Sequence, residues 1–135
     1  MSDTLAPWLL EGAAIAFPDG LPGFEHCRQY VLIASPQLDP FTCLSGIGPD
    51  APSFLAIDPR LVVDSYRRNL SIADYARLQA APNQSLLWLA IISPNEDGAR
   101  VNLRAPLVIN PDTMRGLQLV DMDDTFAVDH PLTGI

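Results

Sequence analysis

Lysine is absent from this sequence: all eight cations are arginines, set against 16 aspartates and glutamates, for a net charge of −8. Every phosphate neutralised at a nucleic-acid or anionic-lipid surface needs a Lys or Arg beside it, so this supply of cations argues against both as partners. A basic macromolecule is the better match. Cysteine and histidine are also scarce, with two of each. Two cysteines make no disulfide framework in a chain of this length, and free thiols are expected. The longest apolar run, Leu86–Ile92, falls far short of the ~18 residues needed to span a bilayer. The first cation is Arg28, after Asp3 and Glu11, so no secretory signal and a cytoplasmic location are expected.

What the chain has is apolar residues, 48% of its 135 positions, enough for one domain over residues 1–135 with a core that needs no metal or disulfide support. It also has 13 prolines, about twice the usual frequency, spread along its whole length. Proline at such spacing divides a chain into short segments and favours strands over long helices. Ala13–Phe17, Tyr30–Ala34, Phe41–Leu44, Phe54–Ile57, Leu86–Ser93, Val101–Leu103, Leu107–Asn110, Leu117–Val120 and Phe126–Val128 read as strands. Most are neighbours in sequence, which makes the pairing mainly antiparallel. Gly46–Asp50 suits a hairpin, and Asp97-Gly98 supplies the left-handed residues of another. Ala105-Pro106 interrupts its strand and implies a bulge or an edge. Asn110-Pro111-Asp112 opens the next loop and Gly116 closes it.

One segment differs. Ser71-Ile72-Ala73-Asp74 fits a capping signature, Ile72, Tyr75, Ala76 and Gln79 share a helical face, and Pro82 stops the run. A second short turn is expected in Arg60–Tyr66. The fold class is therefore mainly β: a small antiparallel barrel-like domain with one short helix, about 71–80.

Candidate chemistry is thin. His26 and Cys27 are adjacent, so on a strand they face opposite ways and make no local nucleophile–base pair. His26, Cys27, Cys43 and His130 are metal-ligand types without metal-ligand spacing. Asp121, Asp123 and Asp124 resemble a calcium run, but Phe126 and Leu132 stand where the loop needs Gly and Glu. Gly20-Leu21-Pro22-Gly23 puts proline where a phosphate cradle needs an amide donor. Trp8, Trp88, Phe17, Phe24 and Phe126 lack the interleaved cations of a base-stacking platform. The residues favour a binding module over an enzyme, with no cofactor and no metal.

Four segments in order resemble the FliW family of flagellar assembly factors: Phe17-Pro18-Asp19-Gly20-Leu21-Pro22-Gly23-Phe24-Glu25, then Phe54–Pro59, then Val101-Asn102-Leu103-Arg104-Ala105-Pro106-Leu107-Val108-Ile109-Asn110-Pro111, then Gly116–Val120, with His130-Pro131-Leu132 closing the pattern. They span residues 17–132. Ala6–Ala14 departs from the family's alternating first strand. The resemblance implies a small β-barrel-like fold without catalysis. It further implies that the protein antagonises CsrA, a basic RNA-binding translational regulator, and that flagellin competes for it in a partner switch controlling flagellin synthesis. A flagellin-dedicated chaperone without a CsrA role is the alternative. Because an acidic surface attracts a basic face and repels RNA, the first candidates for partner contact are Asp121, Asp123, Asp124 and Asp129.

Overall fold

Short runs of alternating burial, cut by Gly, Pro and Asp, give nine strands among the described residues: β1 (Ala14–Ala16), β2 (Gln29–Ile33), β3 (Phe41–Gly46), β4 (Ser53–Ile57), β5 (Leu87–Ser93), β6 (Arg100–Val101), β7 (Leu107–Asn110), β8 (Arg115–Gln118) and β9 (His130–Pro131). The described residues also hold an α-helix, α1 (Ile72–Leu78), and a one-turn 3-10 helix at Pro59–Leu61. The structure is a computed structural model and describes residues 12–120 and 125–132. Strand order is β4-β3-β2-β1-β8-β7-β5-β6-β9, and a further β4–β5 pairing, with Ala56 opposite Ile91, closes the first seven into a barrel. Among the described residues every pairing is antiparallel except β1 with β8, a parallel seam in which Ala16 faces Arg115.

Period-two alternation decides what fills the barrel. Tyr30 and Leu32 of β2, Leu44 of β3, Ala56 of β4, Leu87 and Leu89 of β5, and Leu107 and Ile109 of β7 form one cluster with Ile15, Phe17 and Leu21. Each large apolar side chain so buried contributes about 1.5–3 kcal/mol. The interior is thus packed with side chains. Two smaller clusters sit on the outer surface. Val108, Leu117 and Leu119 meet Leu78 of α1 and Leu86, while Ile57, Ala90, Val101 and Leu103 meet Tyr66 beneath the 59–66 segment.

The capping box at Ser71 and Asp74 is present in both directions, at 3.1 and 3.0 Å. The helix stops at Leu78, four residues before Pro82, because Gln79 takes a left-handed conformation at φ 52°. Its buried residue is Leu78, whereas Ile72 is 89% exposed, so the expected apolar face is corrected. The helix docks through its last turn and leaves its first turn in solvent.

The expected break at Ala105-Pro106 is a real interruption. β6 pairs with the Ile92 end of β5 and β7 with its Leu87–Leu89 end, and five residues loop out between them. Asn102 holds this loop by accepting from the amides of Arg104 and Ala105, both at 3.1 Å. Carbonyls turned out of the ladder are met by side chains: Leu103 by the Tyr66 hydroxyl at 2.6 Å, Arg104 by Arg68 at 2.6 Å, and Ala105 by Gln118 at 3.0 Å.

Three expectations need correction. Phe126–Val128 is not a strand; the Phe126 ring packs on Tyr66 at 4.6 Å, and the last strand is His130–Pro131. Gly116 lies within β8 rather than closing the loop before it, because a Cβ there would come within 2.6 Å of the Phe17 ring. The left-handed turn residue is Met114, at φ 55°. At Asp97-Gly98 only Gly98 has positive φ.

Candidate partner-binding surface

Of the four acidic candidates, Asp121, Asp123 and Asp124 lie outside the described residues. Asp129 is exposed, immediately before β9. The structure gathers a different set of carboxylates. Because β1 and β8 run parallel, the segments that leave their C-terminal ends emerge side by side. These are the Asp19–Glu25 loop and Leu119–Val120, and α1 packs beside them. Together they form a cleft of about 420 Å³ rimmed by Asp19, Glu25 and Asp74, with Arg77 as its one cation among the described residues and Val120 at its edge. Asp129 does not line it.

The Phe17–Glu25 motif shapes this rim. Gly20 has φ +67°, and a Cβ on it would lie 2.8 Å from the Glu25 Cα, so only glycine lets the loop fold back on itself. Leu21 then points into the barrel as a plug, 2% exposed. The Gly23 amide donates to the Glu25 carboxylate at 3.1 Å. A bond from its own backbone amide, and then the Gly23 bond, hold the Glu25 carboxyl below its ordinary value. Arg77 ties the loop to the helix by pairing with Asp19, through Nε at 2.9 Å, and reaches Asp74 at 3.4 Å. Three carboxylates against one guanidinium leave the cleft negative. Asp74 is committed to the capping box, whereas Asp19 and Glu25 face solvent.

Beside the acidic cleft, and sharing Pro22, Gln118 and Val120 with it, lies an apolar one of about 320 Å³ floored by Leu21, Phe24, Phe54 and Ile91. The Phe24 and Phe54 rings meet edge to face at 5.4 Å. An acid rim on an apolar floor suits a protein surface that carries basic groups around an apolar side chain.

The candidate chemical groups stay apart. His26 Nε2 donates to the Asp50 carbonyl at 3.2 Å, while the buried Cys27 thiol turns toward the Gln29 carbonyl at 3.4 Å. Cys43 lies on the outer face of β3, opposite Ile33 and Leu55, and both cysteines are free thiols. Among the described residues no group of three His, Cys, Asp or Glu is placed to hold a metal ion, and no helix is long and apolar enough to cross a membrane.

Reasoning from sequence missed Asp19, Glu25 and Asp74 as a group. Asp19 and Glu25 stand inside a motif whose Gly and Pro residues are explained by backbone geometry. Two acids that the turn itself does not require were the available signal.

The family model for FliW protein matches residues 9–132. The flagellar assembly factor FliW of Natranaerobius thermophilus is 33% identical over 125 residues, covering 90% of this chain and 83% of that protein. The flagellar assembly factor FliW of an Azoarcus species is 38% identical over 114 residues, 78% of each. A crystal structure of the flagellar assembly factor FliW superposes with a TM-score of 0.79 at 27% identity, over 90% of this chain and 86% of that one.

Proposed function

We propose, from the premise that this chain belongs to the FliW family of flagellar assembly factors, that it is a cytoplasmic protein-binding regulator working by exchange of partners and without catalysis. Residues 1–135 act as one unit in this reading. The acid-rimmed cleft receives CsrA, and flagellin competes for the chain, so that flagellin left in the cell frees CsrA to repress flagellin synthesis. The observation that carries the reading is the pairing of exposed Asp19 and Glu25 with the apolar floor at Phe24 and Phe54. Asp121, Asp123 and Asp124, which follow Val120 in sequence, stay in the proposal as further acidic contacts. Asp129 adds to the negative field from outside the cleft. Net −8 favours encounter with a basic regulator and disfavours its RNA. Coupling between competing partners of this kind amounts to about 1–3 kcal/mol.

The test is a titration of flagellin into a preformed complex with CsrA, followed by calorimetry or size-exclusion chromatography. Displacement of CsrA is the expected result. Capture of flagellin with no affinity for CsrA would instead make the protein a dedicated flagellin chaperone, and a stable ternary complex would remove the switch.

A further inference from the structure

Two Asp-Gly pairs occur in the sequence, Asp19-Gly20 and Asp97-Gly98, and no Asn-Gly pair. A carboxyl followed by glycine is open to attack by the next backbone nitrogen, because glycine carries no Cβ to crowd the five-membered ring that results. The fold shields one pair and exposes the other. Gly20 is buried, and its amide donates to the Phe17 carbonyl at 2.8 Å. No room for a ring is left there: a Cβ on Gly20 would lie 2.8 Å from the Glu25 Cα, and Arg77 Nε holds the Asp19 carboxylate at 2.9 Å. Asp97 and Gly98 stand at the tip of the hairpin that joins β5 to β6, beyond the pair of Ser93 with Arg100. Every residue from Ser93 to Gly98 is exposed. The Asp97 carboxylate makes no hydrogen bond or ion pair among the described residues. Gly98 has φ +112°, and nothing lies within 4 Å of where its Cβ would stand. Its amide is tied by one turn bond, to the Asn95 carbonyl at 3.0 Å, and exposed tips of this kind open at little cost.

We propose that Asp97 is a site of spontaneous backbone rearrangement, converting to isoaspartate through a succinimide, while the fold spares Asp19. The Gly98 nitrogen bonds to Cγ of Asp97, and the carboxyl OH leaves with the amide proton as water. One water then reopens the ring. Opening at Cγ restores aspartate. Opening at the Asp97 backbone carbonyl frees that carbon as a carboxylate and routes the main chain through Cβ and Cγ. One water leaves and one enters, so no oxidant or other reactant is needed. The charge is kept but moved, and the main chain at the tip grows by one carbon. The new carboxylate is the acceptor for repair enzymes that methylate isoaspartyl groups from a sulfonium donor. The tip lines neither the acidic nor the apolar cleft, so the proposal stands independently of the CsrA reading.

The experiment incubates the full chain for weeks at physiological temperature and pH, in buffer and in concentrated urea, and then digests it with trypsin. In the absence of lysine, cleavage falls at arginine, and the peptide Leu78–Arg100 carries Asp97 as its one aspartate. Isoaspartate is read by methyl transfer from labelled S-adenosylmethionine with an isoaspartyl methyltransferase, and fragmentation places it within each peptide. Mass separates it from deamidation of Asn83 or Asn95, since isomerisation leaves mass unchanged and deamidation raises it. In buffer, Asp97 is expected to convert at least about tenfold faster than Asp19, whose attacking amide must first break out of a buried turn. In urea both amides are free and the two rates converge. Asp97→Glu, which would need a six-membered ring, removes the mass-neutral signal from Leu78–Arg100. Equal rates at Asp19 and Asp97 in buffer would overturn the inference, as would conversion of Asp97 in urea alone or in neither solvent.

Discussion

Tyr30 is wholly enclosed, and among the described residues its hydroxyl has no hydrogen-bond partner, although the Cys27 thiol acts on it. Burial, and then that thiol, push its pKa above the ordinary 10.0. The neutral phenol is therefore retained in the folded chain after an unfolded one would ionise. Its contribution is complete below pH 10 and is lost as pH rises beyond it. Tyr30→Phe should leave stability at pH 7 unchanged or raise it by about 1 kcal/mol, since an unpaired buried hydroxyl is removed. It should also make the alkaline decline shallower, as read by urea unfolding at several pH values. The absence of lysine removes one class of side chain that would otherwise titrate on that limb. Gly116→Ala carries the opposite expectation: overpacking against the Phe17 ring lowers stability by about 1–3 kcal/mol in the same assay. Neither effect was legible in the sequence, where Tyr30 reads as one apolar residue of a strand and Gly116 as a turn. Whether a ring or a hydroxyl faces it is decided by strands far away in the chain.

At the scale of elements, α1 is too short to persist alone. It is held by Leu78, by its capping box, and at its other end by Asn110, which is wholly buried and bonds in four directions. The Asn110 amide donates to the Leu78 and Gln79 carbonyls at 3.0 and 3.2 Å and accepts from Gln84 and the Asp112 amide at 2.5 and 3.0 Å. Leu78→Ala should lower stability by about 2–5 kcal/mol, and Ser71→Ala by about 1 kcal/mol, both measured by thermal or denaturant unfolding. If Leu78→Ala were neutral, the helix would owe nothing to its docked turn. The start of α1 was readable because a capping box is chemistry among four consecutive residues. Its buried side was not, because Leu78 is selected by Val108 and Leu117 across the barrel surface. The same division separates the strands read correctly, such as Leu86–Ser93, from Phe126–Val128. That apolar triplet is claimed by the Tyr66 ring instead of by a ladder.

For the molecule as a whole, alternation and turn chemistry made a mainly β barrel with one helix legible before any coordinates. The acidic cleft was only half legible. Net charge pointed to a basic partner, yet it could not say that Asp19, Glu25 and Asp74 would meet, because that depends on the register and direction of β1 against β8. On the proposed function, charge reversal by Asp19→Arg with Glu25→Arg should weaken CsrA binding at least about tenfold at low salt and flatten its salt dependence, with the unfolding midpoint little changed. Calorimetry at two ionic strengths reads both. NMR titration of Glu25 should give a midpoint below 4.5, so the rim stays charged as pH falls toward that value.

The parallel seam also carries a consequence in time. Its two strands are separated by most of the chain, and the cleft takes one wall from each side of it. A chain emerging from the ribosome presents the Asp19–Glu25 loop early but has no second wall until Leu119 and Val120 follow. Such distant closure is the slow step of a β fold. Unfinished or half-folded copies thereby lack the complete cleft, and on the function proposed above only a finished molecule would engage a partner there.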